Sequence, residues 1–225
     1  MAPPAFVRAV AYGPYRDRMR AVIHALKYEG LQPAARPLGR LLAEAIATLA
    51  GEAPADLLVV PVPLHPGRYA ERGFNQARLL AFHAVRSLRK THPEMKLTLA
   101  QGVLSRRRST ESQASLTPRQ RRNNLRGAFS VTRAQTVLGR DVLLIDDIFT
   151  TGATARAAAL ALRRAGAASV WVATLARAGK IFPRGAKALG IYSDSEDAGQ
   201  AAVRRSAADE TQPASMHSFD NQPSH

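Results

Sequence analysis

In the stretch VLLIDDIFTTGATARAA (142–158) a short apolar run meets two adjacent acids, Asp146 and Asp147, and then the small residues Thr150, Thr151, Gly152, Ala153 and Thr154. A pair of carboxylates accepts hydrogen bonds from hydroxyls or enters a magnesium shell. The turn that follows carries three hydroxyls, a glycine able to take positive φ, and the start of a helix. Its backbone N–H groups, helped by the helix dipole, make a nest for a phosphate. Carboxylate and phosphate repel, so the two features divide the ligand between them, and together they fit a ribose 5-phosphate. The bland reading is a helix cap and an ordinary turn. It suffices for each residue taken singly, but the order strand, acids, hydroxyl-glycine turn counts against it.

These residues need a strand before them and a helix after them. Val142 to Ile145 reads as a buried strand with Asp146 and Asp147 at its carboxyl end, Thr154 to Ala165 as a helix stopped by Gly166, and Ser169 to Leu175 as the next strand. Strand, helix, strand of this length implies a right-handed crossover and a parallel sheet, so the class is α/β. Ligands of such sheets sit beyond the carboxyl ends of the strands. Leu57 to Val62, stopped by Pro61, Pro63 and Pro66, is a further buried strand. FNQARLLAFHAVRSLR after it is helical, and 97–104 is expected as a strand. Upstream, Met19, Val22, Ile23 and Leu26 mark one amphipathic helix, and Leu38, Leu41, Leu42, Ala45, Ile46 and Leu49 a second that ends at Gly51.

Composition narrows the class. With 225 residues and 46% hydrophobic content, the chain suits one domain with a substantial core. Residues 1–190 hold 30 basic against 11 acidic residues, a net +19, and residues 191–225 hold 2 against 6, a net −4. Such a field favours polyanions without choosing among nucleic acid, acidic membrane and phosphorylated metabolite. The absence of cysteine excludes disulfides, thiolate zinc sites and cysteine nucleophiles, and suits a reducing compartment. No stretch approaches the roughly 18 apolar residues of a membrane span, and the start of the chain lacks the apolar core of a signal peptide. The expectation is a soluble, cytoplasmic protein with no membrane insertion. Residues 105–126, SRRRSTESQASLTPRQRRNNLR, are polar and basic, and a loop that long in a compact domain is functional or disordered. From 191 the chain has no periodicity and few large apolar groups, so 191–225 is expected to be a disordered tail.

VLLIDDIFTTGAT resembles the signature of type I phosphoribosyltransferases, which bind phosphoribosyl pyrophosphate. The wider sequence is similar to the ComF family, associated with DNA uptake in competent bacteria. The likeness rests on HALKY (24–28), RPLGRLLA (36–43), VPVPLHPGRYAERGFNQARLLA (60–81), LSRRRSTESQASLTPRQRRNNLRGAF (104–129) and the signature, within residues 6–178. It implies the type I phosphoribosyltransferase fold over 1–190: a small helical hood at 1–52, an α/β core at 55–190, and a lid loop at 105–126. It assigns Asp146 and Asp147 to the 2′ and 3′ hydroxyls of the ribose. Phe149, Thr150, Thr151, Gly152, Ala153 and Thr154 fall to the 5-phosphate. Pro63, Leu64, His65, Pro66, Gly67 and Arg68 would face the pyrophosphate, and Arg106, Arg108, Thr110 and Gln113 match the R-x-R-x-T-x-x-Q pattern of the lid. The implied reaction is displacement at the anomeric carbon with Mg²⁺ and arginines stabilising the departing pyrophosphate.

Two departures qualify the likeness. Many ComF-like chains begin with a four-cysteine zinc module, for which this sequence has no cysteine. Hypoxanthine-type salvage enzymes carry an aspartate where Thr150 stands, which disfavours that purine chemistry. His65 reads either as a pyrophosphate contact or proton donor, or as a plain polar loop residue. His24, on a helix with Arg20 and Lys27, reads as a surface or hood residue, and Trp171 and Phe149 as core or loop anchors. Arg119, Arg121, Arg122 and Arg126 suit nucleic acid or a solvated loop. Two functions follow: a magnesium-dependent phosphoribosyltransferase with an unnamed acceptor, and a non-enzymatic basic component of DNA uptake that retains the phosphoribosyl site and binds single-stranded DNA or competence proteins.

Overall fold

The computed structural model describes residues 5–107, 127–179 and 190–192. In chain order the elements are β1 (Arg8–Pro14), α1 (Asp17–Tyr28), a 3-10 turn (Gln32–Ala34), α2 (Ala35–Ala47), β2 (Asp56–Pro61), α3 (Pro66–Arg72) and α4 (Gln76–Thr91). They continue with β3 (Lys96–Leu99), β4 (Leu104–Arg106), β5 (Phe129–Val131), α5 (Ala134–Val137), β6 (Asp141–Phe149), α6 (Ala153–Arg164), β7 (Ser169–Arg177) and β8 (Gly190–Tyr192). Six strands form one sheet in the order β3-β2-β6-β7-β1-β8, parallel except for β8, which runs against β1. The unbroken apolar runs of β2 and β6 are buried on both faces, as a parallel sheet covered by helices on each side requires.

Each face of the sheet has its own core. On one, α1, α2 and α4 bring Ile23, Leu26, Leu42, Ile46, Leu80 and Leu88 against Leu57, Val59, Leu143, Ile145 and Trp171. On the other, α6 and the β4–β5 pair bring Ala158, Leu162 and Phe129 against Leu58, Val60, Val142, Leu144 and Val172. Helices α2 and α4 approach so closely that a Cβ at Gly39 would run into the Cβ of His83. From β2 the chain moves outward through α4 to β3; from β6 it moves the opposite way through α6 to β7, over the other face. Neighbouring strands β2 and β6 are therefore a topological switch point, and their carboxyl ends border a crevice where ligands of such sheets bind.

Three sequence expectations change. Residues 8–14, inside the segment expected as a helical hood, are a strand bonded to β7 on one side and β8 on the other. Helix α1 meets the carboxyl edge at both ends: the Tyr15 N–H donates to Arg177 O just before it, and Lys27 reaches Asp147 near its end. Helix α2 instead packs on the sheet face. The strand expected at 97–104 is two: β3 belongs to the main sheet, whereas β4 pairs antiparallel with β5 in a separate two-stranded sheet. Finally, residues 191 and 192 belong to β8, so the expected tail begins no earlier than 193, and 193–225 lie outside the described residues. No helix among the described residues is long and apolar enough to cross a membrane.

Candidate functional site

The turn between β6 and α6 forms the floor of the crevice. Gly152 takes φ 68° and ψ 0°, a left-handed conformation that a β-carbon would strain, and it caps α6. No side chain caps this helix start, so the N–H groups of its first turn face outward unsatisfied by a cap, as an anion site needs. Asp146, Thr150, Gly152, Ala153 and Thr154 line one small recess with Ile148, Phe149, Ala155 and Thr174. Its enclosed space is about 10 Å³, room for one water, so a phosphate would sit at its mouth. Phe149 is anchored beside the recess: its ring is buried, packs edge-on against Phe6 at 6.2 Å and lies 5.3 Å from the Arg177 guanidinium.

The acids lie within the strand and not beyond its end. On the β2 side pairing stops at Ile145, whose carbonyl accepts from the Val62 N–H at 2.8 Å. On the β7 side it continues through Asp146–Thr174 to Phe149–Arg177. The strand edge is thus open toward the crevice where the acids begin. Asp146 is half-buried beside the recess and accepts from the Asp147 N–H at 2.9 Å. Burial, then the neighbouring charge of Asp147, push its carboxyl up to about 8, against the opposing pull of that N–H and of Lys27.

Asp147 has different company. Its Oδ2 lies 2.6 Å from Lys27 Nζ and accepts from Gln76 Nε2 at 3.2 Å. Both side chains of the ion pair are well covered, 16% exposed for Lys27 and 7% for Asp147. Burial pulls the Lys27 ammonium down, yet the charge of Asp147, its hydrogen bond and the charge of Asp146 outweigh that and hold it above the ordinary lysine value. Gln76 Oε1 in turn accepts from Arg72 at 3.2 Å, and the Arg72 guanidinium lies 4.7 Å from the centre of the Tyr28 ring. From the sequence, His24 is expected at a surface or hood position, on a helix shared with Lys27. His24 is indeed exposed, beside Glu29 at 3.3 Å and Tyr28, but Lys27 is part of the site. The signal was available: Met19, Ile23 and Lys27 are spaced by four, so the lysine shares the stripe of the buried Ile23.

The loop after β2 supplies the crevice's other wall. Pro63, Leu64, His65 and Arg68 are half-buried. His65 caps α3, its Nδ1 accepting from the Gly67 N–H at 3.2 Å. That bond assigns the ring hydrogen to Nε2. Asn75 ties this loop to α4 by donating to Val62 O at 3.0 Å while its Oδ1 accepts from the Arg78 N–H at 3.3 Å. Arg106, at the end of β4, lies 5.5 Å from the Phe129 ring centre. Burial lowers its guanidinium, the charge of Asp146 opposes this, and that of Arg68 adds to it, so all three share one neighbourhood. The structure therefore brings Asp146, the 150–154 turn, Arg68 and Arg106 together. Arg108, Thr110 and Gln113, with Arg119, Arg121, Arg122 and Arg126, lie outside the described residues.

Among the described residues, no three His, Cys, Asp or Glu side chains form a group able to hold a metal ion. Asp146 and Asp147 are the residues that would hold a magnesium ion, which would supply positive charge beside a bound phosphate. The arrangement as a whole, an anion nest, two carboxylates and two arginines at a switch point, has the parts to hold a phosphorylated sugar.

Fold and site define the class: the family described as "Phosphoribosyl transferase domain" matches residues 75–187. The chain is 34% identical over 177 residues to "DNA utilization protein YhgH" of Escherichia coli O157:H7, covering 78% of this chain and 74% of that one. It is 31% identical over 178 residues to "Competence protein F" of Haemophilus influenzae, covering 78% and 75%. With "Competence protein ComFC" of Bacillus subtilis it shares 33% identity over 165 residues, or 72% and 61% of the two chains. The protein belongs to the ComF family and carries a phosphoribosyl transferase domain.

Proposed function

We propose that this protein binds phosphoribosyl pyrophosphate with Mg²⁺ and transfers the phosphoribosyl group to an acceptor still to be named. The observation that carries the reading is the recess that Asp146 shares with Thr150, Gly152, Ala153 and Thr154, with Arg106 near enough to feel the charges of Asp146 and Arg68. In this reading the 5-phosphate sits on the uncapped N–H groups of α6, and Asp146 and Asp147 accept from the ribose hydroxyls. Arg68 and Arg106 face the pyrophosphate, so charge that grows on it as it leaves meets fixed cations. Magnesium, when bound, would neutralise part of the same charge, with Asp146 and Asp147 as its protein ligands. Holding the anomeric carbon in place supplies the remaining advantage, positional rather than covalent. By the names of its relatives, the reaction or the binding would serve DNA utilization or competence, and a cysteine-free chain suits the cytoplasm.

The test is calorimetric titration with phosphoribosyl pyrophosphate and Mg²⁺, followed by pyrophosphate release over a panel of candidate acceptors. Saturable binding that Asp147→Asn weakens supports the proposal; no heat at millimolar ligand ends it. A second reading is favoured by the net +19 of residues 1–190 and by those same names: the basic surface binds single-stranded DNA without catalysis. Affinity for an oligonucleotide that falls steeply with salt is its expected signature, and salt-insensitive or absent binding counts against it.

A further inference from the structure

Lys27, Asp147, Gln76, Arg72 and Tyr28 close a ring. Lys27 and Gln76 both reach Asp147 Oδ2, at 2.6 and 3.2 Å; Arg72 holds Gln76 and lies over Tyr28, the residue after Lys27. The members come from α1, β6, α4 and α3, so the ring fastens α1 to the strand that carries the acids. A lysine kept for solubility leaves its ammonium in water, yet this side chain is 16% exposed and pointed at one carboxylate oxygen. Gln76, itself 5% exposed, heads the buried stripe Leu80, Ala84, Leu88 on α4. Two buried polar side chains converging on a third is an expensive arrangement for packing alone.

We propose that Lys27 and Gln76 are positioning residues of the sugar-hydroxyl subsite, a proposal that rests on the phosphoribosyl reading above. A carboxylate has about four lone-pair sites; the ring fills two of them and turns the carboxyl so that the rest accept from the ligand's hydroxyl. Lys27 also offsets the repulsion between adjacent acids, so that both can serve one sugar. It touches Asp147, not the ligand. Its loss should remove hydroxyl recognition and leave phosphate recognition, which belongs to the turn after β6.

The experiment measures dissociation constants of the full chain for ribose 5-phosphate and for methyl phosphate, which carries the phosphate without the sugar hydroxyls. Wild type is expected to prefer the sugar phosphate; if it binds neither, the phosphoribosyl reading falls and this inference with it. With wild-type binding in place, Lys27→Met should reduce the preference by about tenfold, the worth of a charge-assisted hydrogen bond, while methyl phosphate binds as before. Lys27→Arg should restore part of it. Because Lys27→Met strands a buried charge, the same comparison is made in Asp147→Asn, where that charge is gone. There, adding Lys27→Met should change neither constant. An unchanged preference in Lys27→Met, or an equal loss of both ligands that persists in the Asp147→Asn background, overturns the assignment.

Discussion

Asp146 and Asp147 are adjacent in the chain but live in opposite circumstances. Asp146 sits beside a turn of small residues, with burial and a like charge driving its carboxyl up to about 8. Asp147 is buried, and a lysine from α1 and a glutamine from α4 hold one of its oxygens. The first acid is ready to keep a proton until a cation or a ligand draws near. The second has its compensating charge built in. A pair of like charges in one site is thus tolerated by treating each differently, by proton for one and by ion pair for the other.

The sharpest way to separate the two acids is by pH. The unfolded Asp146 carboxyl titrates near the ordinary value of about 3.9, whereas the folded one titrates at about 8. Between these the folded state holds a proton that the unfolded state has released. In the ligand-free protein the stability from Asp146 is therefore full below about pH 4 and lost as pH rises to about 8. Asp146→Asn should flatten that slope in denaturant titrations run across the range; a slope that survives the substitution belongs to other groups. Next, Lys27→Met should cost about 3–5 kcal/mol in urea unfolding by stranding Asp147, and adding Asp147→Asn should recover most of it. A single mutant within error of wild type would mean that the pair is dispensable to folding. On the turn side, Gly152→Ala should lose roughly 1–2 kcal/mol, because φ 68° is strained for any residue with a β-carbon, and should weaken phosphate binding. Smallest, Asn75→Ala should lose about 1 kcal/mol with its cap, and calorimetric melting would register it.

What the sequence disclosed follows the same division. The turn and its acids are contiguous, so strand, carboxylates, glycine and helix start could be read along a dozen residues. The crossover from Val142 to Leu175 was legible because apolar runs and Gly166 mark its boundaries. The acids' place inside β6 was not, since pairing with β7 outlasts pairing with β2, and only the sheet reveals that. β1 escaped for a similar reason: RAVAYGP is short and rich in small residues, and its strand state comes from bonds to β7 and β8, far off in sequence. Lys27, Arg72 and Gln76 stand on three helices with no role legible in the sequence, and it is the run of contacts from Arg72 through Gln76 to Asp147, with Lys27 on the same oxygen, that links them. A lysine and a glutamine in otherwise buried helical stripes were the clue, weaker than a motif but physical.

The small β4–β5 sheet has a consequence for how this protein can change over generations. It pairs Arg106 with Phe129, and the Arg107 N–H donates to Ala128 O, so two points far apart in sequence are held side by side. Closing a loop on such a base depends only logarithmically on its length, and each doubling adds about 0.6 kcal/mol. Insertions and deletions between those anchors therefore burden the core very little. Descendants of this chain can differ in the length of sequence between Arg106 and Phe129 while the sheet that carries the acids stays as it is.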